Sequence, residues 1–241
     1  MVRPGTRAVV PSSRAALRAR RRRYGLLLIA TLLSLAIQGA VSPGSVQQVV
    51  IVLLNGASLL LALRAADLGD RLQAAAAVLV AVVLVLTVVR VTAGEIGDGA
   101  SRTMNAVLVG LGPPAVAVGV LRDLRSSGQV RIEAVAGVLS LYVLVGMFFA
   151  FTYGAIDRFG DQPFFADGET ATVSACLYFS FTTLTTVGYG DFAAVTDLGH
   201  TLAIFEALLG QIYLVTVVSV IVSNLGRPAR GEQLAADDGV S

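Results

Sequence analysis

Cysteine and histidine are nearly missing from this chain. One of each is present, Cys176 and His200, so no disulfide can close within it and no four-ligand Cys/His metal site can be assembled. Lysine is absent altogether, and all 18 basic residues are arginine. Charged residues of either sign make up only 14% of the 241 residues, against about 25% in an ordinary soluble domain. Hydrophobic residues make up 55%, with a mean hydropathy of +0.77. A chain this short of charge is not built to face water on most sides. No Ser/His/Asp grouping and no carboxylate pair placed for acid–base work is readable, so no enzyme class, cofactor, small-molecule substrate or nucleic acid is expected.

What is present is long apolar runs. Runs of about 18 or more residues with few charges read as membrane spans, and six apolar segments occur, at 24–42, 47–66, 72–92, 103–121, 132–154 and 200–224. Residues 1–23 precede them as a polar tail carrying eight arginines and ending in Arg20-Arg21-Arg22-Arg23. Such a tail reads as an anchor on the anionic headgroups of the cytoplasmic face. A secretory signal or a nucleic-acid-binding tail fits less well, because the following apolar stretch is long enough to stay as a span and lacks a small-x-small cleavage site. With the N-terminus inside, fifteen arginines fall in cytoplasmic pieces and three, Arg90, Arg102 and Arg158, outside. That bias predicts six spans in the cell membrane with both termini cytoplasmic. Glu95, Asp98, Asp157, Asp161, Asp167, Glu169, Asp191 and Asp197 all fall on the outer side in this layout. The division expected is a tail (1–23), a four-span bundle (24–125), a two-span unit with an intervening loop (126–225) and a short tail (226–241).

The loop between the fifth and sixth segments, 155–199, is too long for a turn and too short for a domain. Within it Ala171 to Leu184 is an apolar, helix-like stretch, roughly 21 Å long at 1.5 Å per residue. That length cannot cross a core of about 30 Å, so it predicts a re-entrant helix entering from outside. Asp167 and Glu169 stand near its positive end, and its negative end points to the membrane centre, where it favours a cation. Thr185-Thr186-Val187-Gly188-Tyr189-Gly190-Asp191 follows. Irregular backbone at membrane depth is tolerated only where it lines a cavity or is buried in protein. Gly188 and Gly190, at alternate positions, supply the unusual dihedrals needed to aim successive carbonyls one way. Val187 and Tyr189 are expected to point away and pack against the helix, with Tyr178, Phe179 and Phe181 as an aromatic cuff.

The stretch Tyr178-Phe-Ser-Phe-Thr-Thr-Leu-Thr-Thr-Val-Gly-Tyr-Gly-Asp191 resembles the pore helix and signature sequence of tetrameric potassium channels. Val195-Thr196, Gly210 and Val218-Ser-Val-Ile-Val-Ser-Asn224 resemble, without a gap, the inner helix of the voltage-gated potassium channel family. The close match covers about 50 residues and the six-span layout only loosely. The resemblance implies an all-α membrane protein of prokaryotic type, with six transmembrane helices, a re-entrant pore helix and an extended filter, assembled as a homotetramer. It implies a filter of Thr186, Val187, Gly188, Tyr189 and Gly190, with K⁺ held on the oxygens of Thr186, Val187, Gly188 and Tyr189 as permeant ion. Thr185, Asp191, Tyr178, Phe179 and Thr182 would support it.

Departures from the family narrow the reading. The fourth segment, Thr103 to Leu121, contains no charge and is interrupted by Gly112-Pro113-Pro114, so the moving arginines of a voltage sensor are missing. Arg122 and Arg125 have the right spacing but lie beyond it, where they read as positive-inside anchors. The inner helix has Val217-Val218-Ser219 where many relatives carry a proline kink, leaving Gly210 as the candidate hinge and Val218 and Val222 as candidate apolar constriction rings. A gate at the filter itself is the rival. Thr182 stands where some relatives carry a pore-helix carboxylate. Gln211, Leu214 or Val215, Val218 and Val222 form a stripe turned to the pore, against a polar stripe of Thr216, Ser219 and Ser223. Glu206, an intramembrane carboxylate, is either a modulator or a hydrogen-bonded strut to the pore helix. His200 reads as inert and Cys176 as a packing residue. Two other functions compete with a passive channel. A potassium-uptake transporter subunit would carry four unequal loops and commonly a single filter glycine. A membrane sensor or regulatory subunit with a silent pore would use the four-span bundle to bind its ligand.

Overall fold

The computed structural model describes residues 13–40, 44–94, 99–118 and 132–225; the side chains at 13–22, 40, 45, 99–102, 132–134, 167, 218 and 220–225 are outside that description. The helices are α1 (Ser13–Ala40), α2 (Ser45–Ala65), α3 (Asp70–Thr92), α4 (Gly99–Gly110), α5 (112–118), α6 (Ile132–Phe159), α7 (Val173–Leu184) and α8 (Asp197–Leu225). Among the described residues the only strand-like pairing is one isolated antiparallel bridge, Phe165 to Ala194. The expectation of an all-helical membrane protein therefore holds.

Four of these helices are long and apolar enough to cross a membrane: Val46–Ala65, Asp70–Thr92, Val135–Phe159 and Asp197–Val217. Two more of the expected spans are shorter apolar helices, Arg23–Gly39 and Thr103–Val118. The first of these is the part of α1 whose side chains are described, and α1 itself runs from Ser13 to Ala40. The second is broken by a turn at Leu111. Pro113 and Pro114 have no N–H to donate to the carbonyls of Val109 and Gly110, so the helix ends there and restarts.

Local chemistry sets the turns. Chain α2 ends with Asp67 in the left-handed region (φ 49°), and Leu68 N–H returns to Leu63 O at 3.2 Å, an arrangement that satisfies the last carbonyls of a helix. Arg23 donates to the Arg64 carbonyl (2.8 Å) and stands 3.8 Å from Asp67, so Arg23 of α1 lies beside the end of α2. Helix α3 carries Asp70 in its first turn and Arg90 in its last, each favourable to the helix dipole.

The first four helices pack as a bundle, α1 on α2 and α2 on α3 and α4. Its centre is polar but uncharged: Gln38 donates to Ser34 Oγ (2.9 Å), Ser34 to Asn55 (2.7 Å) and Asn55 to Asn105 (2.9 Å), all four buried. Among the described residues of α1 to α5 no charged side chain is buried. The bundle leans on α6 of the same chain through α1 and α4, burying Leu108, Leu144 and Met147 between them. Helix α7 is held between α6 and α8. The Arg-rich tail at 1–12, Arg122 and Arg125, and the tail 226–241 lie outside the described residues.

Candidate ion pathway

Helix α7 covers the stretch that the sequence marks as a re-entrant helix, two residues shorter at its start. Its N-cap is Thr172, whose hydroxyl accepts from Ala175 N–H at 3.1 Å. Glu169 stands exposed three residues earlier, and the Asp167 side chain is outside the described residues. Twelve residues span about 18 Å. The loops at either end of the unit are stitched together, Ala166 N–H to Ala193 O (2.9 Å) and Val195 N–H to Phe164 O (3.0 Å). Asp157 receives the Phe164 N–H at 3.0 Å. The segment that follows α7 is thus pinned at both ends to the same scaffold.

Helix α7 ends in a tight reversal. Thr186 N–H donates to Thr183 O (2.9 Å) and Val187 N–H to Thr182 O (2.9 Å), with Gly188 N–H adding a second bond to Thr182 O at 3.1 Å. The first two bonds make a Schellman cap, whose left-handed position is ordinarily glycine. Thr186 occupies it, with φ 59°, an outlier for a β-branched residue. Gly188 (φ 52°) and Gly190 (φ 81°) follow. The backbone is therefore left-handed at every second residue, 186, 188 and 190. The sequence pointed to the two glycines and missed the threonine. Every residue from Thr185 to Asp191 is exposed, Val187 at 52% and Tyr189 at 71%.

The aromatic surroundings divide in a way the sequence did not separate. Tyr178 stacks on Tyr189, with centroids 6.2 Å apart and planes at 10°, and donates to Asp191 at 2.8 Å. That bond raises the Tyr178 phenol above its ordinary value. Phe179 faces the other way, edge-on to Tyr153, Phe164 and Phe165, and a Cβ on Gly146 of α6 would meet the Phe181 ring. The cuff around Tyr189 is therefore Tyr178 alone within one chain. Successive side chains on a helix turn by 100°, so 178 and 179 cannot share one face. Thr182 keeps its hydroxyl on its own helix, bonding Phe179 O at 3.0 Å, and Thr185 does the same with Phe181 O at 2.6 Å.

Helix α8 touches α7 along one face. Glu206 is wholly buried and receives the Tyr153 hydroxyl of α6 at 2.6 Å. It also contacts the hydroxyl of Ser180 on α7, which lies 2.7 Å from the Gly146 carbonyl. Glu206 is thus hydrogen-bonded to α7, the contact that the strut reading calls for. One turn on, Gly210 lies so close to the last carbonyl of α7, that of Leu184, that an added Cβ would collide with it. Tyr142 donates to that same carbonyl at 3.2 Å, its ring is 5.3 Å from Tyr213, and the Tyr213 hydroxyl bonds the Val138 carbonyl. Tyr142, Tyr153, Ser180 and Tyr213 went unread in the sequence. A buried carboxylate demands donors, so hydroxyls one helix away were the signal available. Helix α8 runs unbroken through Gly210. Gln211, Leu214, Val215, Thr216 and Ser219 are exposed, whereas the side chains of Val218 and Val222 are outside the described residues. His200 bonds the Ala194 carbonyl at 2.7 Å, and Cys176 is buried in the packing of α7.

Comparison with known proteins bears on this same part of the chain. Residues 137–227, from α6 through the end of α8, match the family model described as ion channel. Over 106 residues, 44% of the chain, the sequence is 28% identical to the calcium-activated potassium channel slowpoke of Drosophila melanogaster, of which 9% is covered. Over 94 residues, 39% of the chain, it is 30% identical to the inward rectifier potassium channel Kirbac3.1 of Paramagnetospirillum magnetotacticum, of which 30% is covered. Residues 137–227 thus resemble an ion channel domain, and both of these relatives are potassium channels. What this part of the chain is similar to is channels, not enzymes. The chain spans less than a third of the length of either relative. No solved structure matches it. The ion channel domain thus takes in α7, the 185–191 segment and the Glu206–Ser180 contact, while α1 to α5 lie before it.

Proposed function

We propose that this protein is one subunit of a homotetrameric, potassium-selective channel that conducts passively across the cell membrane. The observation that carries the reading is the left-handed backbone at 186, 188 and 190, on a segment left wholly exposed at the inner end of a re-entrant helix. Left-handed residues at alternate positions aim successive carbonyls to one side, and a row of carbonyls from several copies can replace the hydration shell of K⁺. Backbone exposed at membrane depth is tolerated only where it lines a cavity. Four copies around an axis cover it and surround the ion. In this reading Thr186, Val187, Gly188, Tyr189 and Gly190 form the filter, and Tyr178 and Asp191 brace it from outside.

The same proposal has six spans, with the shorter helices at Arg23–Gly39 and Thr103–Val118 as first and fourth, and both termini cytoplasmic. The Arg-rich N-terminus lies on anionic headgroups. With no charged side chain buried among the described residues of α1 to α5, the channel is not voltage-gated. Two places for a gate follow, the rings at Val218 and Val222 below Gly210 and the filter itself. The contact of Gly210 with the Leu184 carbonyl favours the filter, because that glycine has a packing reason to lack a Cβ.

The test is flux from purified protein in liposomes under a potassium gradient with equal sodium on both sides. The expected result is a reversal potential that follows potassium, and a weakened preference when Tyr189-Gly190 becomes Asp-Gly. Equal permeability to both ions in the wild type overturns the proposal, and a pore silent under all conditions favours the sensor reading of the four-helix bundle.

A further inference from the structure

Helices α7 and α8 meet at two points one turn apart. Glu206 and Gly210 are four residues apart on α8, and their partners, Ser180 and Leu184, are four apart on α7. The Leu184 carbonyl is the last of the helix whose Thr182 carbonyl holds the amides of Val187 and Gly188. Any shift of α8 relative to α7 is therefore delivered to the segment that the proposed function uses as a filter.

The proton count at the upper point is informative. A serine hydroxyl has one proton to give. Ser180 Oγ lies against two oxygens, the Gly146 carbonyl at 2.7 Å and Glu206 Oε1. A carbonyl can only accept, and an ionised carboxylate can only accept. Both contacts are hydrogen bonds only if Glu206 brings a proton of its own, giving it to Ser180 Oγ while Ser180 gives its proton to Gly146. Glu206 Oε2 then accepts from the Tyr153 hydroxyl. In that arrangement each hydroxyl donates once and no donor is left over. An ionised Glu206 would instead leave two oxygens facing each other across one shared proton. It would also carry a buried charge whose hydrogen-bonding partners are two neutral hydroxyls, at a cost of several kcal/mol. All three side chains are fully buried.

We infer that Glu206 works as a neutral carboxylic acid at the centre of a directed chain, Tyr153 to Glu206 to Ser180 to the Gly146 carbonyl. It acts as a positioning residue that locks α8 to the pore helix and so holds the filter's geometry. The inference rests on the proposed function for its ion readout and on proton inventory for its chemistry.

Glutamine is the discriminating substitution. Its amide can donate to Ser180 and accept from Tyr153, reproducing the neutral acid, whereas it cannot reproduce a carboxylate that accepts twice. In the full chain reconstituted in liposomes, Glu206→Gln is expected to keep the potassium-to-sodium permeability ratio of the wild type. Glu206→Ala is expected to lower it about tenfold, the equivalent of one buried polar partner left unpaired. Infrared difference spectra at neutral pH should contain a carboxylic-acid C=O stretch that disappears in Glu206→Gln. If Glu206→Ala does not assemble, Ser180→Ala combined with Tyr153→Phe reads the same clasp from the other side and should lower the ratio in the same direction. A missing acid stretch, or a Glu206→Gln variant as damaged as Glu206→Ala, overturns the neutral-acid assignment. An unaltered ratio in the clasp variants overturns the positioning role. Should the wild type itself lack selectivity, the proposed function fails while the infrared band still decides the protonation state.

Discussion

A threonine in the left-handed region is the costliest single residue of the 182–190 turn. A strained, β-branched residue of this kind costs of order 1–3 kcal/mol and persists where its surroundings over-determine it. Thr186 is so held by its own N–H to Thr183 O and by the bonds of the next two residues to Thr182 O. What glycine would lose here is the hydroxyl, which the proposed filter uses as an additional oxygen at its cytoplasmic end. Serine separates the two demands, since it keeps the hydroxyl without the branch. Thr186→Ser is expected to raise the thermal midpoint of the purified protein slightly and to leave the reversal potential unchanged. Thr186→Val, which keeps the branch and loses the oxygen, is expected to lower potassium selectivity. At the outer end, Tyr178→Phe removes the donor to Asp191 and should make potassium currents decay several-fold faster in recordings at low external potassium. The Tyr178 phenol is raised by that bond, so the tie is complete below the ordinary value of 10.0 and is lost only as pH climbs through the higher folded value. Current stability measured between pH 6 and 9 should therefore show no titration attributable to Tyr178.

At the scale of helices, α8 separates what could be read from the sequence and what could not. Its start, its length and the intramembrane Glu206 were legible, because a long apolar run and a lone carboxylate are signals carried by residue type. The partner of Gly210 was not legible. Poor helix propensity and a missing Cβ suggest a hinge when only the strand of letters is known, yet the helix is continuous there and the glycine lies on a carbonyl of another helix. Sequence carries no record of which backbone atom comes near. The aromatic residues of α7 fail for a related reason. Tyr178, Phe179 and Phe181 are alike in composition, and only tertiary packing sends one to Tyr189 and two toward α6 and its loop. Gly210→Ala now has a definite expectation. A methyl group pressed on a backbone carbonyl cannot be relieved by turning a side chain, and overpacking of this kind costs about 1–3 kcal/mol. The thermal midpoint should fall and ion selectivity should suffer, because α7 must move. A hinge-only role predicts instead that opening declines while selectivity and stability stay as they were, and paired melting and reversal-potential measurements distinguish the two.

At the scale of the whole molecule, the bundle of α1 to α5 rests on α6 of its own chain and carries amides where a sensor would carry charges. A field acts on a protein through displaced charge, each elementary charge being worth about 2.3 kcal/mol per 100 mV. The described core of the bundle offers Gln38, Ser34, Asn55 and Asn105, linked in a neutral chain, and no buried charged side chain. Amide dipoles turning in place move only a fraction of a charge, so they cannot supply the several charges per subunit that steep activation requires. Arg23 cannot serve either, because it is fastened at the α2–α3 turn by the Arg64 carbonyl and Asp67, at the end of the bundle rather than within it. The conductance of the reconstituted channel should therefore vary little between strongly negative and strongly positive potentials once blocking ions are removed. Planar-bilayer recordings in symmetrical potassium read this directly. A sigmoidal activation curve steep enough to need several gating charges would show that the field acts on residues other than this neutral core. A flat curve, together with a change in open probability when Asn55→Leu cuts the polar chain, would assign the bundle a role in gating that does not depend on voltage.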